Sequence, residues 1–242
     1  MDAEAGRSEV LRAEPGGLVP RVRDVDTCTF DCYGTLIDWR SGIEQNLRRL
    51  LRPRGLHGAQ SIFLAYLGAE RAVERSYVPY RDVLAASAVR AARTLGIALP
   101  AAQAREFADS LPRWPAYRDS AESLRALGRL GIRRYILSNV DRDLLEATIR
   151  ESGLEVDGYV TAQDVQSYKP QPAHWERLLQ QYSIERSHLL HVAQSLYHDI
   201  APASELGLRT VWVNRYAEAG PGALRPTYVV RDLDGLLALL AG

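Results

Sequence analysis

The chain is poor in cysteine, has almost no lysine and carries no net charge. Its 242 residues include two cysteines, Cys28 and Cys32. Four residues apart on one strand, their Cα atoms would stand about 13 Å apart. A disulfide needs less than about 7 Å. That pairing is therefore not expected, and both read as small strand residues of a reducing compartment. Lys+Arg and Asp+Glu number 30 each. Such a balance offers no general attraction to nucleic acid or to anionic membranes. No apolar run approaches the length of a membrane span. The opening stretch, MDAEAGRSEVLRAEPGG, has early acids and no apolar core, so it does not read as a signal peptide. The cytoplasm is the simplest location.

The scarcity of lysine is more informative. Lys169 is the only one; every other cationic side chain is arginine. An arginine bias can be genomic, and Lys169 could be a chance survivor on a surface loop. But lysine and arginine are not interchangeable where a compact charge is needed, which draws attention to the residues around it.

What is present is an alternating pattern. With 46% hydrophobic residues the chain can bury a sizeable core in one or two domains. Residues 1–21, with Pro15, Gly16, Gly17 and Pro20, read as a flexible N-terminal extension. A first strand is expected near Val25–Asp31. Residues 41–113 read as helical, with Ile43, Leu47, Leu50 and Leu51 and then Ile62, Phe63, Tyr66 and Leu67 at helical spacing. Strands follow near Arg134–Leu137, Gly158–Thr161, Leu189–Ala193, Thr210–Asn214 and Tyr228–Val230. Helices near Ser120–Leu130, Arg142–Ser152, Ala173–Tyr182 and Asp199–Leu206, and one at the C-terminus, separate or follow them. This order predicts an α/β fold: a Rossmann-like parallel sheet with right-handed crossovers, spanning 22–42 and 114–242. The helical insert, 43–113, is expected to cap the strand ends. Its apolar faces leave a homodimer open.

The first strand ends on a carboxylate, Asp31, followed at once by the turn signal Gly34-Thr35. In an open α/β sheet, ligands bind at the carboxyl ends of strands. A carboxylate presented there can act as a nucleophile; it can equally cap a turn. Other strand ends deliver Ser138 and Asn139, the loop holding Lys169, and Ser195 with Asp199. Each has a bland reading as a helix cap or turn residue. Their arrival on one rim is the expected anatomy of an active site.

The motifs FDCYGTLIDW, ILSN, SYKP and HVAQSLYHDIAPASELGLRTVWVNR together resemble the haloacid dehalogenase superfamily, and particularly its 2-haloacid dehalogenase (type II) branch. The resemblance runs from about Val25 to the C-terminus. It implies Asp31 as nucleophile, with Thr35 and Ser138 bonding its carboxylate or the substrate acid. It implies Lys169 as the neutralising charge, Asn139 in the substrate pocket, and Asp199 orienting Lys169 and positioning the hydrolytic water. Tyr33, Cys32, Ser195, Trp175 and Trp39 complete the candidate substrate contacts.

Departures choose between branches. Phosphatases of the superfamily carry an acid two residues after the nucleophile, where this chain has Tyr33. They also carry a Gly-Asp pair that binds Mg²⁺, where this chain has Ala193-Gln194. A neutral amide is a poorer Mg²⁺ ligand than a carboxylate, and phosphoryl transfer depends on that charge stabilisation. Halide leaves carbon without a proton. The expected function is therefore metal-free displacement of halide from a short 2-haloalkanoic acid through an alkyl-aspartyl ester. The alternatives are a Mg²⁺-dependent phosphatase acting on a small ester and a related enzyme with a non-halogenated substrate. The chain also departs from the dehalogenases. Trp175 stands where they have a tyrosine. The segment around Gln194-Ser195 aligns only with a one-residue insertion. Arg71 and Arg75 are the candidates for their halide-accepting arginine. His198 could be a base, although a packed or surface role suits it better, as it does His191.

Overall fold

The computed structural model describes residues 11–12, 22–56, 61–74, 76–219, 222 and 224–241. The expected 1–21 extension falls almost wholly outside them. Its two described residues, β1 (Leu11–Arg12), pair antiparallel with the edge strand β7 (Tyr228–Val230).

The other strands are β2 (Thr27–Phe30), β3 (Arg133–Ser138), β4 (Gly158–Thr161), β5 (Leu189–Ala193) and β6 (Arg209–Val213). Strands β2 to β7 form a parallel array, and the whole sheet runs β1-β7-β6-β5-β2-β3-β4. Every residue of β2 and β5 is buried, as expected when helices cover both faces. Helices α5 (Ser120–Arg129), α6 (Arg142–Glu151), α7 (Ala162–Val165), α8 (Ala173–Gln181), α9 (Ala201–Glu205) and α10 (Leu233–Ala241) flank the sheet. Strand β2 sits between β5 and β3, from which the strand order runs outward in opposite directions. That is a topological switch point, where a crevice opens at the strand ends. Asp31 is the residue just beyond β2.

Four helices lie between β2 and α5: α1 (Trp39–Leu51), α2 (Ile62–Val73), α3 (Tyr80–Thr94) and α4 (Ala101–Asp109). Asp38 caps α1 by accepting from the Ser41 amide at 3.0 Å, and Ser61 caps α2 through the Leu64 amide at 3.2 Å. The apolar spacing read from the sequence is the buried face: Ile43, Leu47, Leu50 and Leu51 on α1, Ile62 and Tyr66 on α2. Helix α3 starts after Pro79, which has no side-chain acceptor. Asp141, just before α6 and some sixty positions away in sequence, supplies one, bonding the Tyr80 and Arg81 amides at 2.9 Å each.

The expected helix at Asp199–Leu206 begins differently. Leu196–Ile200 is a π turn, closed by the Ile200 amide on the Ser195 carbonyl at 3.1 Å, and α9 follows. A π turn holds one residue more than an α turn. It takes up the one-residue insertion seen in the sequence and still brings Asp199 to the sheet rim.

Candidate active site

Lys169 organises the site. The residue is 2% exposed. It donates to Asp31 Oδ1 at 3.0 Å, to Asp199 Oδ1 at 2.6 Å and to the Leu137 carbonyl at 2.9 Å. An ammonium has three N–H bonds, and all are used here. A planar guanidinium could not meet the same three acceptors, which accounts for the solitary lysine. The loop carrying it is held by Asn139, whose Oδ1 accepts from the Lys169 amide at 2.7 Å while its Nδ2 donates to the Lys169 carbonyl at 3.2 Å.

Asp31 is 7% exposed. Its second oxygen, Oδ2, accepts from Thr35 Oγ1 at 2.9 Å. That hydroxyl in turn accepts from the Gln194 amide at 2.9 Å, so its proton is directed at the carboxylate. The turn that places Thr35 needs Gly34, at φ +107°. Arg215 holds the turn from outside. It donates to the Thr35 carbonyl at 2.8 and 3.2 Å and grips Asp119 at 3.0 and 3.1 Å.

The charges are tightly balanced. Burial raises the Asp31 carboxyl above its ordinary range, the nearby Asp199 adds to that rise, and Lys169 and Thr35 oppose it. Burial alone would raise Asp199 too, but the ammonium and a hydrogen bond from His191 outweigh it and hold the group at about 2. Burial works against the Lys169 charge, and its two carboxylate partners overcome that and raise its pKa.

The remaining candidates divide. Ser138 is buried, and its hydroxyl has no hydrogen-bond partner among the described residues. Its carbonyl accepts from His174 Nε2 at 3.1 Å. Burial and then Lys169 depress His174 to about 3. Asn139, expected in the substrate pocket, holds the Lys169 backbone with both ends of its amide. Tyr33 turns away from the nucleophile, bonding Thr148 Oγ1 of α6 at 2.7 Å. Cys32 is wholly buried, and burial and then Asp31 push its thiol well up. Cys28 and Cys32 are both free. Trp175 does not reach Asp31 or Lys169 by any hydrogen bond; its fully buried indole packs with Leu137, Val160 and Leu178. Ser195 caps the π turn through the His198 amide at 3.0 Å. Trp39 packs edge-on against Phe63 and Tyr66 at 5.3 and 6.4 Å, among the inserted helices. Arg71 is exposed on α2, close enough to His198 to depress it together with burial and Lys169. Arg75 lies outside the described residues.

Sequence reasoning missed His191. Its imidazole is wholly buried in β5 and bonds Asp199 Oδ1 at 3.2 Å and Thr29 Oγ1 at 2.8 Å. The signal was one polar residue, His191, in the otherwise apolar strand LLHVA. Arg215 was missed as well, because its partners lie far away in sequence.

The donor set fits Mg²⁺ poorly. The ammonium sits between the two carboxylates that would have to share a cation, and Gln194 brings a neutral amide.

Comparison with known proteins gives the family and the fold. The haloacid dehalogenase-like hydrolase family profile matches residues 25–207. The chain belongs to that family. It is similar to (S)-2-haloacid dehalogenase 4A of Burkholderia cepacia, at 26% identity over 91% of this chain and 96% of that one. It is also similar to haloacetate dehalogenase H-2 of Moraxella sp. (strain B), at 23% identity over 91% of this chain and all of that one. Among solved structures it shares its fold with the L-2-haloacid dehalogenase of Xanthobacter autotrophicus, with a TM-score of 0.77 at 22% identity, over 90% of this chain and 99% of that one. The protein is a haloacid dehalogenase-type enzyme with an α/β fold. Among the described residues no helix is long and apolar enough to cross a membrane.

Proposed function

We propose that this haloacid dehalogenase-like hydrolase displaces halide from a short 2-haloalkanoic acid, with Asp31 as nucleophile and without metal. The observation that carries this reading is the buried Lys169 ammonium bonded at once to Asp31 and Asp199. It favours the ionised form of Asp31 against the burial that favours the acid. It also lowers the cost of bringing a second anion, the substrate carboxylate, beside it.

The proposed steps make use of this geometry. An oxygen of Asp31, held between Lys169 and Thr35, attacks C2 from the side opposite the carbon–halogen bond. Halide leaves with the bonding pair, and an alkyl-aspartyl ester forms. Esterification removes the charge of Asp31, so Lys169 and Asp199 remain as an ion pair beside the ester carbonyl. Water then attacks that carbonyl and releases a 2-hydroxy acid inverted at C2. Helices α1–α4 serve as a cap that excludes bulk water, and Arg71 of α2 and Arg75 are the candidate cap cations for the departing halide. Tyr33, bonded to α6, offers no proton to a leaving group, and halide needs none.

The test is chloride release from (S)-2-chloropropionate in excess EDTA, with Asp31→Asn alongside. The expected result is release by the wild type and a loss of at least ~10⁴-fold in the variant. Release that needs added Mg²⁺, or that survives Asp31→Asn, would overturn the reading.

A further inference from the structure

One buried titratable side chain has no part in the steps above. His191 lies in β5, in direct register with Thr29 of β2. Side chains at paired positions of neighbouring strands share one face, and the Thr29 hydroxyl bonds His191 Nδ1 at 2.8 Å. The Trp175 ring meets the imidazole edge-on, 5.3 Å between centroids. Three neighbours therefore fix the ring: Thr29, Trp175 and Asp199. An ionised carboxylate only accepts, so the bond to Asp199 Oδ1 at 3.2 Å is donated by His191 Nε2.

Both donors reach the same oxygen of Asp199. Oδ1 takes Lys169 Nζ and His191 Nε2, while Oδ2 is buried with no partner among the described residues. Ser138 Oγ is orphaned in the same way. Buried polar atoms without protein partners are the ordinary companions of an internal water. A lone ammonium would leave Asp199 free to turn about its own side-chain bonds and offer either oxygen to Lys169. The second donor removes that freedom.

We propose that His191 is a positioning residue for the ester-hydrolysis half-reaction: by pinning Asp199 through Oδ1, it reserves Oδ2 for the hydrolytic water. This rests on the aspartyl-ester reading given above. In that half-reaction the water oxygen bonds to the ester carbonyl carbon of Asp31. One water proton passes by way of Asp199 Oδ2 to the departing alkoxide as its bond to that carbon breaks. The other proton is released when Asp31 ionises again. The first half-reaction does not use Oδ2. Loss of His191 should therefore slow the second half and spare the first.

Two variants separate positioning from packing. His191→Phe keeps an aromatic ring against Trp175 and removes the donor; His191→Gln keeps an N–H directed at Asp199. With (S)-2-chloropropionate, His191→Phe should release one equivalent of chloride in a burst. Its steady rate should fall on the order of 10-fold to 100-fold, as for other residues that orient a reacting group. Intact-protein mass spectrometry should then show alkylated enzyme. His191→Gln should recover most of the rate and lose the burst. A His191→Phe enzyme that turns over normally, or one slowed with neither burst nor adduct, would overturn the proposal.

A second readout needs no substrate. Carbon-13 titration of Asp199 in carboxyl-labelled protein should show its pKa rising in His191→Phe and unmoved in His191→Gln. The other titratable groups facing Asp199 are Lys169, Asp31, His174 and His198, and all are retained in both variants. If the wild type releases no chloride, the dehalogenation reading fails, and the titration alone decides whether His191 governs Asp199. An Asp199 titration unchanged in His191→Phe would overturn the proposal on its own.

Discussion

At the scale of single residues, the chemistry rests on why position 169 is lysine in a chain of arginines. Three acceptors lie within 3.0 Å of one nitrogen. Lys169→Arg should fail almost as badly as Lys169→Ala, each losing roughly 10²-fold to 10³-fold in kcat. A Lys169→Arg enzyme near the wild-type rate would show that charge alone suffices there. The sequence pointed to Asp31, Thr35, Lys169 and Asp199 because each ends a strand or sits in the turn or loop that follows one. Asn139 was legible as a site residue but not in its role: an amide that braces a backbone and one that lines a pocket have the same letter. His191 looked like a packed histidine and is one, but packing was not its whole role. Its partner Asp199 is eight positions away and joined to it only through the π turn.

At the scale of elements, long-range capping was the least legible feature. Helix α3 begins at a proline-preceded tyrosine, and its first two amides are satisfied by Asp141, 6% exposed, from the residue just before α6. Arg81 of α3 adds ion pairs with Asp109 at 2.7 Å and Asp143 at 3.0 Å, both exposed and of small worth. Asp141→Ala should destabilise the protein by about 1–2 kcal/mol, the range for lost N-caps. The urea midpoint should fall, with Asp141→Asn between the variant and the wild type. An unchanged midpoint would mean that water replaces the carboxylate at no cost. The positions of β2 to β7, by contrast, were legible to within two residues, since buried parallel strands leave continuous apolar runs bounded by glycine and polar turns, whereas β1 falls in the stretch read as a flexible extension. The π turn was visible only as an extra residue in a motif; spacing alone does not say where such a residue will be absorbed.

At the scale of the whole molecule, the sheet order could not be read from the sequence, although alternation fixed its parallel sense. The order places Asp31 at the switch point, with the Lys169 loop and the Asp199 turn arriving from strands on opposite sides of β2. The inserted helices add a charge feature of their own. Burial raises Glu70 to about 7 against hydrogen bonds that favour its ionised form. Burial and then Glu70 raise Glu74 to about 8. Unfolded glutamates titrate near 4.3. Between about pH 4.5 and pH 8 the folded chain therefore holds protons that the unfolded chain has released, and stability falls as pH rises through that window. The melting temperature should drop from pH 5 to pH 8, and Glu70→Gln should flatten the slope. Equal slopes in the two proteins would contradict the assignment.

The central claim is that oxygen reaches the product by way of Asp31. A single turnover of (S)-2-chloropropionate by excess enzyme in oxygen-18 water measures this most directly. The account predicts the heavy oxygen in the peptide that carries Asp31 and ordinary oxygen in the 2-hydroxy acid. Heavy oxygen in the acid and none in the peptide would contradict it, because water would then have attacked the substrate carbon itself.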